Sequence, residues 1–348
     1  MGSKRGSLSS AGLGRTSYSP ADPVRWSAAI DRALYGPDGF YLAGRGAAGH
    51  FRTSASAGSS LREIFAGAIG VLAERVDIAL GRPDRFDLVD LAGGSGDLLE
   101  AVVATLGSGL SARVGPTVVE LRHRPADLPP RVVWRDDVPE MSGLLIANEW
   151  LDNVPIDVVV DERVLLVDRE GAESPGPVPT AAESGWLGRW WPSGPRREIG
   201  LRRDAAWADA VSRMRRGLAV AVDYTHTAAD RPTFGTLTGF RDGRETGPIP
   251  DGHRDLTAHV AIDSVIAAGE ASVARAGGSV RSLLTDQRAA LRSLGVSGRR
   301  PDYAADPGGY AAALQRAGEA AELLDPAGLG HFTWLLQGIE LDPAAVLR

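Results

Sequence analysis

The stretch Phe86-Asp-Leu-Val-Asp-Leu-Ala-Gly-Gly-Ser-Gly-Asp97 decides the fold of this chain. Its first six residues form a short apolar run that ends in glycines, which is typical of a buried strand in a parallel sheet. Leu98 to Leu106 then has the spacing of a helix. Glycines let a backbone turn tightly and approach a ligand, and a helix N-terminus offers N–H donors. The stretch therefore predicts a strand, a turn and a helix, with a ligand site at the turn.

More strands are expected further along the chain, because short apolar runs recur between turn residues and helical segments. These runs are Pro116–Leu121, Arg131–Trp134, Gly143–Ala147 and Leu218–Asp223. Strands that alternate with helices favour a parallel sheet. Ile156–Val160 and Val164–Asp168 flank three polar residues and predict a hairpin. The predicted fold class is α/β, with a Rossmann-like core and a mostly parallel sheet.

The distribution of turn residues divides the chain into four predicted parts. They are a disordered tail at 1–20, a helical segment at 21–85, a core at 86–225 with a Pro/Gly/Trp-rich excursion at 170–197, and a final part at 226–348. The final part begins with a Gly- and Pro-rich loop, of a length that is usually functional. Helical spacing over 259–295 and 311–324 then predicts a helical lobe, and Phe332–Leu336 predicts a closing edge strand.

Composition excludes several classes of function. The chain of 348 residues has no cysteine, which excludes disulfides, thiolate metal sites and a cysteine nucleophile. A net charge of −6 argues against a surface for nucleic acid. No window is apolar enough to cross a membrane and the N-terminus lacks the apolar region of a signal peptide, so we expect a cytoplasmic protein without a membrane partner. No dense cluster of metal ligands occurs, and no metal is predicted.

The glycine turn does not fit a nicotinamide dinucleotide. That ligand needs a third glycine five residues after the first, where the helix packs closely on the strand. Counting from Gly94 and Gly96, the third position is Leu99. Asp97 would also repel a pyrophosphate. Among the functions compatible with a glycine turn of this kind, a nicotinamide dehydrogenase is therefore the weakest.

S-adenosyl-L-methionine fits better, because it carries a zwitterionic amino acid, a ribose and an adenine but no phosphate. Asp90 and Asp97 suit its ammonium and sulfonium charges. Glu120 ends the next predicted strand, where a carboxylate can accept both ribose hydroxyls, and Asp136 and Asp137 follow the third strand beside the expected adenine edge. The turn residues expected to cradle this cofactor are Ala92, Gly93, Gly94 and Gly96.

A set of motifs occurs in order over residues 35–336. They are Tyr35-Gly-Pro-Asp-Gly-Phe-Tyr41, Gly49-His-Phe-Arg-Thr-Ser54, Ile146-Ala-Asn-Glu-Trp-Leu-Asp-Asn-Val-Pro155, Ala221-Val-Asp-Tyr224, Gly235-Thr-Leu237, Gly252-His-Arg-Asp-Leu-Thr-Ala-His-Val260 and Gly328-Leu-Gly-His-Phe332. Together they resemble the MidA-type S-adenosylmethionine-dependent methyltransferases, whose mitochondrial members act in assembly of respiratory complex I. The resemblance implies a class I methyltransferase core with a largely helical extra lobe. Better-studied members of that family methylate arginine in a protein.

The chain departs from the family pattern at several positions. It reads Thr53-Ser-Ala-Ser-Ala-Gly58 where members usually carry T-S-P-E-x-S, so a proline and an acid are missing. Asp90 replaces a glutamate, Ala92 replaces the first loop glycine, and Thr225 replaces the glycine after D-Y. We expect cofactor binding to survive these changes, whereas a lost carboxylate bears on the identity of the substrate.

Candidate catalytic residues follow the fourth and fifth predicted strands. Methyl transfer is an in-line displacement in which the protein positions, shields and aligns the reactants. Asn148 could bind the nucleophile, and Glu149 and Asp152 could hold a cationic substrate. Alternatively, Asn148 caps a short helix and the two acids stabilise its first turn. Asp223 and Tyr224 either wall the substrate pocket or cap the strand end.

Candidate substrate residues come from two of the family-like motifs. They are His50, Thr53, His253, Asp255 and His259. His50 stands where the family carries an acid and could serve as a base. Thr257 lies in the same motif, and for His253, Asp255, Thr257 and His259 the alternative to a substrate role is that their side chains only stabilise a loop by hydrogen bonds.

The predicted function is therefore methyl transfer from S-adenosyl-L-methionine to a nitrogen nucleophile, such as an arginine of a protein. A small-molecule acceptor in bacterial secondary metabolism is one alternative. A non-catalytic, cofactor-binding assembly factor is another. The sequence predicts no oligomeric state and does not identify the methyl acceptor.

Overall fold

The computed structural model describes residues 22–43 and 59–348. In chain order its helices are α1 (Trp26–Tyr35), α2 (Phe40–Ala43), α3 (Ser59–Ala79), α4 (Asp97–Thr105), α5 (Ser108–Ser111), α6 (Ala181–Trp190), α7 (Leu201–Ser212), α8 (Ile262–Arg275), α9 (Gln287–Ser293), α10 (Tyr310–Leu323) and α11 (Pro343–Val346). Two short 3-10 helices cover Leu151–Asn153 and Leu329–His331. None of the described helices combines the length and the apolar character needed to cross a bilayer.

The strands form one large sheet and several smaller ones. In chain order they are β1 (Val24–Arg25), β2 (Phe86–Leu91), β3 (Val114–Val119), β4 (Val133–Arg135), β5 (Met141–Asn148), β6 (Asp157–Val160), β7 (Arg163–Val167), β8 (Glu173–Pro175), β9 (Arg196–Ile199), β10 (Met214–Asp223), β11 (Thr225–His226), β12 (Thr238–Arg241), β13 (Arg244–Thr246), β14 (Asp255–Thr257), β15 (Val260–Ala261), β16 (Val280–Asp286) and β17 (Thr333–Ile339).

The large sheet has seven strands in the order β16-β17-β10-β5-β2-β3-β4. The pairings from β10 through β4 are all parallel, whereas β17 runs antiparallel to both of its neighbours. The sequence prediction of a mostly parallel sheet in an α/β fold is confirmed. The strands of the large sheet carry apolar side chains on both sides because helices cover both faces of the sheet. Leu88 and Leu144 pack with α3 and α4 on one face, and Val89 and Leu145 pack with α7 and α8 on the other.

Two expectations for the last part of the chain are wrong. The sequence predicts a helix through residues 280–286, within 259–295, but these residues form β16 at the edge of the large sheet. The helical run ends earlier, at Gly277 and Gly278, which follow α8. The sequence also predicts an edge strand at Phe332–Leu336, but β17 lies inside the sheet between β10 and β16. Its side chains are buried at almost every position, as an interior strand requires.

A second sheet lies outside the core and is antiparallel. Its order is β1-β7-β6-β9, and β8 pairs with β7. The predicted hairpin is confirmed, with Val159 opposite Val164. The structure differs here from the largely helical extra lobe that the resemblance implies. The excursion at 170–197 contributes β8 and α6, and the segment 238–257 adds a three-stranded sheet of β12, β13 and β14.

The topology fixes where a ligand can bind. Along the chain, β2, β3 and β4 run toward one edge of the large sheet, whereas β5 and β10 lie on the other side of β2. The strand order therefore reverses between β2 and β5. In open α/β sheets a crevice forms at this point, outside the carboxyl ends of the strands.

Candidate functional site

A cavity of about 1030 Å³ opens at this crevice. Residues that follow β2, β3, β4, β5 and β10 line its floor, and side chains of α1, α2 and α7 contribute to its walls. Of the described residues that line it, nine are aspartate or glutamate and three are arginine. The cavity therefore brings together most of the acids that the sequence singles out.

The glycine turn after β2 forms one wall. Ala92 and Gly94 both have a φ of 59°, and Gly96 has a φ of 85° and precedes α4 without a capping side chain. Gly93 packs so closely that an added Cβ would lie 2.7 Å from Oδ2 of Asp90. The turn thus exposes backbone to the cavity and leaves no room for a side chain at Gly93.

Glu120 reaches the glycine turn from the end of the neighbouring strand β3. Its Oε2 accepts a hydrogen bond from the Gly94 N–H at 3.0 Å. Its Oε1 accepts from the N–H groups of Leu121 at 2.8 Å and Arg122 at 3.1 Å. Oε1 thus accepts two N–H groups, whereas Oε2 accepts only one and has a further lone pair, so Glu120 can still accept a hydroxyl donor from a ligand at Oε2.

Asp90 lies at the base of the same wall and is only 3% exposed. Burial raises the pKa of its carboxyl to about 7, and the nearby charge of Glu120 adds to the rise. Its Oδ2 is buried and has no hydrogen-bond partner among the described residues. A buried carboxylate oxygen without a partner favours binding of a donor from a ligand.

The remaining predicted cofactor residues fall into two groups. Asp97 and Asp136 line the cavity, and Asp97 also accepts a hydrogen bond from Arg62 at 3.1 Å. Asp137 is not among the lining residues, because its carboxylate pairs with Arg135 at 2.6 Å on the surface. Adjacent residues at a strand end point in different directions, which the sequence alone does not distinguish.

The turn after β5 also lines the cavity. Glu149 has a φ of 52° and its Oε1 accepts a hydrogen bond from Nδ2 of Asn148 at 3.1 Å. Oδ1 of Asn148 is buried without a partner among the described residues. Asp152 is buried at the cavity, and Thr257 donates to its Oδ2 at 2.6 Å. Burial raises the pKa of Asp152.

Asp223 caps the short helix at Leu151–Asn153. Its Oδ2 accepts the N–H groups of Leu151 at 2.9 Å and Asp152 at 3.2 Å, and it does not line the cavity. Asp223, rather than Asn148, is therefore the residue that caps this helix. Burial raises the pKa of Asp223 well above its ordinary value.

Arg203 on α7 donates hydrogen bonds that hold the turn after β5 in place. It is buried and donates to three backbone carbonyls, those of Val154 at 3.0 Å, His259 at 2.8 Å and Asp152 at 2.6 Å. This one side chain thus joins the motif at residues 146–155 to the motif at residues 252–260, which together contain most of the candidate catalytic and substrate residues.

Asp255 lies next to the short helix at this turn, among polar side chains of that helix and of α2. Tyr41 places its hydroxyl 3.0 Å from both carboxylate oxygens, and Nδ2 of Asn153 donates to Oδ1 at 2.9 Å. Burial, with a smaller contribution from Asp152, raises the pKa of Asp255 to about 7. Tyr35 stacks on Tyr41 with ring centroids 5.7 Å apart.

The histidine candidates are not brought together at the cavity. Tyr224 lines it and stacks on His259 at 5.7 Å, but His259 is exposed and is not a lining residue. His253 is exposed, and its backbone N–H donates to Asp251. His50 and Thr53 lie outside the described residues.

Several residues that shape the cavity are not predicted by the sequence. Tyr35 and Tyr41 begin and end a motif whose only signal is its family likeness. Arg203 stands in an ordinary amphipathic helix and gives no local signal. The described residues contain no group of three or more histidine, cysteine, aspartate or glutamate side chains that could hold a metal.

Comparison with known proteins places these features in a family. A family model described as "Putative S-adenosyl-L-methionine-dependent methyltransferase" matches residues 69–279, more than half of the chain. No curated protein matches the chain by sequence.

Two solved structures share the fold. A protein from Burkholderia thailandensis, bound to S-adenosyl-homocysteine, has a TM-score of 0.76 and 22% identity, and the match covers 93% of this chain and 90% of that chain. A native crystal structure of an uncharacterized protein of the same superfamily, also from Burkholderia thailandensis, gives the same values. The family match, together with the reversal point and its glycine turn, leads to one conclusion. The chain belongs to the MidA-like family of S-adenosyl-L-methionine-dependent methyltransferases.

Proposed function

We propose that this methyltransferase transfers the methyl group to a nitrogen atom of a cationic or amine acceptor, such as an arginine side chain of a protein. The observation that carries this proposal is the excess of nine acidic over three basic residues around the cavity. Burial keeps some of these carboxyls protonated and neutral. The lining as a whole still attracts cations and repels anions, because acids outnumber arginines in it. A phosphorylated or carboxylate acceptor would be disfavoured in it.

The cofactor end of the cavity is assigned to the glycine turn and its acidic neighbours. Glu120 would accept the ribose hydroxyls, Asp90 would accept from the ammonium through its unpartnered Oδ2, and Asp136 would meet the adenine edge. Asp97 adds negative charge near the sulfonium. Bound S-adenosyl-L-methionine supplies a methyl group on a positively charged sulfur, which leaves as a neutral thioether. Asp137 has no part in this assignment, because it pairs with Arg135.

The acceptor end is assigned to the turn after β5 and the residues that face it. Asn148 and Glu149 would orient the acceptor nitrogen, and Asp152 and Asp255 would face its charge. Tyr41 and Tyr224 would pack against the acceptor, since aromatic faces attract cations. His253 and His259 do not line the cavity and have no role in the proposal.

A two-stage experiment tests the proposal. Calorimetry with S-adenosyl-L-methionine first establishes cofactor binding. Protein and small-molecule fractions of a cell lysate are then incubated separately with methyl-tritiated cofactor, with and without the enzyme. We expect label on nitrogen in the protein fraction, identified after hydrolysis as a methylated basic amino acid.

Each other outcome has a definite meaning. Label confined to the small-molecule fraction would support a small-molecule acceptor and refute the protein acceptor. Label that is lost as a methyl ester in mild alkali would refute transfer to nitrogen. Binding of the cofactor without label in either fraction would support a non-catalytic binding protein.

A further inference from the structure

Three oxygen atoms on residues that line the cavity are buried and have no hydrogen-bond partner among the described residues. They are Oδ2 of Asp90, Oδ1 of Asn148 and Oδ1 of Asp152. A buried acceptor without a partner has lost its hydrogen bonds to water and gained none in return, so such atoms are candidates for contact with a ligand. Their chemistry separates them.

Only one of the three can take a proton on the acceptor side. Asp90 packs against the glycine turn and the charge of Glu120 acts on it, which assigns it to the cofactor side. Asn148 offers an amide oxygen, which accepts a hydrogen bond but is far too weak a base to remove a proton. Asp152 carries a carboxylate.

The neighbouring carboxylates are already used. Both oxygens of Asp255 lie at hydrogen-bonding distance from Tyr41, and Asn153 donates to one of them. Both oxygens of Asp223 accept backbone N–H groups. Asp152 is therefore the acid beside the turn with a buried oxygen left over.

The position of that oxygen is determined by a small number of contacts. The Asp152 N–H donates to Asp223 at 3.2 Å, and the Asp152 carbonyl accepts from Arg203 at 2.6 Å and from the Ala258 N–H at 3.2 Å. The backbone is thus held on both sides. At the side chain, the Thr257 hydroxyl donates to Oδ2 at 2.6 Å. This bond fixes Oδ2 as the oxygen that faces Thr257 and leaves Oδ1 as the oxygen without a partner among the described residues.

We propose that Oδ1 of Asp152 removes the proton from the acceptor nitrogen, and that Thr257 is the positioning residue that directs this oxygen into the cavity. The inference rests on the proposed transfer to nitrogen. The nitrogen lone pair forms the bond to the methyl carbon, and the electron pair of the broken sulfur–carbon bond stays on sulfur. The proton of the nitrogen moves to Oδ1 of Asp152, which loses it to solvent after product leaves.

Several charged and titratable groups act on Asp152 from the elements around it. They are Asp223, Asp255, Arg203, His259, Tyr35, Tyr41 and Tyr224, and Glu149 acts on two of these, Asp223 and Tyr224. Burial raises the pKa of Asp152, whereas the hydrogen bond from Thr257 and the charge of Arg203 lower it. Removing the Thr257 hydroxyl must therefore raise this pKa further, so that a higher pH is needed to ionise the base.

The test compares Thr257→Val and Thr257→Ser with the wild type. Carboxyl carbons of aspartate are labelled with carbon-13, and the Asp152 resonance is assigned by its loss in Asp152→Asn. We expect the titration of Asp152 to move to higher pH in Thr257→Val and to stay near the wild type in Thr257→Ser. The acidic limb of the tritium-transfer rate should move in the same direction. Asp152→Asn should lower the transfer rate by about 100-fold or more.

A matched control is Thr246→Val, which removes a hydroxyl from the same small sheet at a residue that does not line the cavity. An Asp152 titration that is unchanged in Thr257→Val would overturn the inference. So would a rate that falls equally at every pH, because that pattern indicates a merely structural threonine. A wild-type protein that transfers no label would refute the proposed function, and the nuclear resonance titration would still decide the contact between Thr257 and Asp152.

Discussion

At the scale of single residues, the proposed cofactor end contains two acids that lie at one turn. Glu120 accepts the Gly94 N–H, and its charge helps to raise the pKa of the buried Asp90 to about 7. A carboxyl with a raised pKa holds its proton in the folded protein at a pH where the unfolded chain has lost it. Such a group makes stability fall as pH rises through that interval.

We therefore predict that Asp90 lowers the free energy of unfolding as pH rises from about 4 to about 7. The interval runs from the ordinary value of 3.8 to the raised pKa of about 7. For each group the slope is at most about 1.4 kcal/mol per pH unit. Urea unfolding at pH 5 and pH 8 should show a smaller loss in Asp90→Asn than in the wild type. Equal losses would contradict the buried position of Asp90.

The sequence predicts Asp90, Glu120, Asn148 and Asp152 because each lies at or shortly after the end of a strand that can be located. It does not predict Tyr41 or Arg203. Tyr41 comes from a four-residue helix far away in the chain, and it meets Asp255 only after folding. Long-range contacts of this kind have no spacing that a single sequence could reveal.

At the scale of elements, three parallel strands meet at a row in which two of the three residues are glycines. Gly143 on β5 pairs with Asp87 on β2 and with Gly217 on β10. Gly143 has a φ of 147°, and an added Cβ would lie 2.1 Å from the Asp87 carbonyl oxygen. Backbone in the centre of a sheet cannot move aside.

Gly143→Ala should therefore lower the free energy of unfolding by about 3 kcal/mol or more, from strain and overpacking together. Urea denaturation measures this loss. Gly109→Ala is the control, because Gly109 lies in α5 with open space around its Cα and alanine favours a helix. A loss in Gly143→Ala no greater than that in Gly109→Ala would contradict the pairing of these strands.

Elements are well predicted wherever a strand is buried on both faces. β2, β5 and β10 are continuous apolar runs between turn residues, and the sequence locates each to within a few residues. β16 escapes prediction because it is an edge strand with alternating exposure, which lies close to a preceding helix and looks like its continuation. Of the second sheet the sequence predicts only the hairpin of β6 and β7, because β1, β8 and β9 are short and widely separated along the chain.

At the scale of the whole molecule, Arg203 joins the core to the remainder of the site. It lies on α7, which covers the large sheet, and it donates to the turn before β6 and to the segment before β15. Burial lowers its pKa, while nearby acids keep it charged. The positions of three backbone carbonyls therefore depend on hydrogen bonds from one planar guanidinium.

Arg203→Lys should lower the free energy of unfolding by about 2–4 kcal/mol, because an ammonium cannot reach three carbonyls in the same geometry. Thermal and urea unfolding measure the effect. Arg202→Lys is the adjacent control, since the Arg202 side chain is 50% exposed and its nearest acid is 3.6 Å away. Similar stability of the two variants would show that Arg203 does not hold the two segments together.

The central claim is that the cavity at the reversal of the sheet holds the cofactor between the glycine turn and Glu120. Calorimetry with S-adenosyl-homocysteine tests it most directly, with the wild type, Glu120→Gln and the surface variant Glu140→Gln. We expect one site per chain, weakened about 10-fold or more by Glu120→Gln and unchanged by Glu140→Gln. Absence of binding to the wild type, or equal affinity of all three proteins, would contradict this claim.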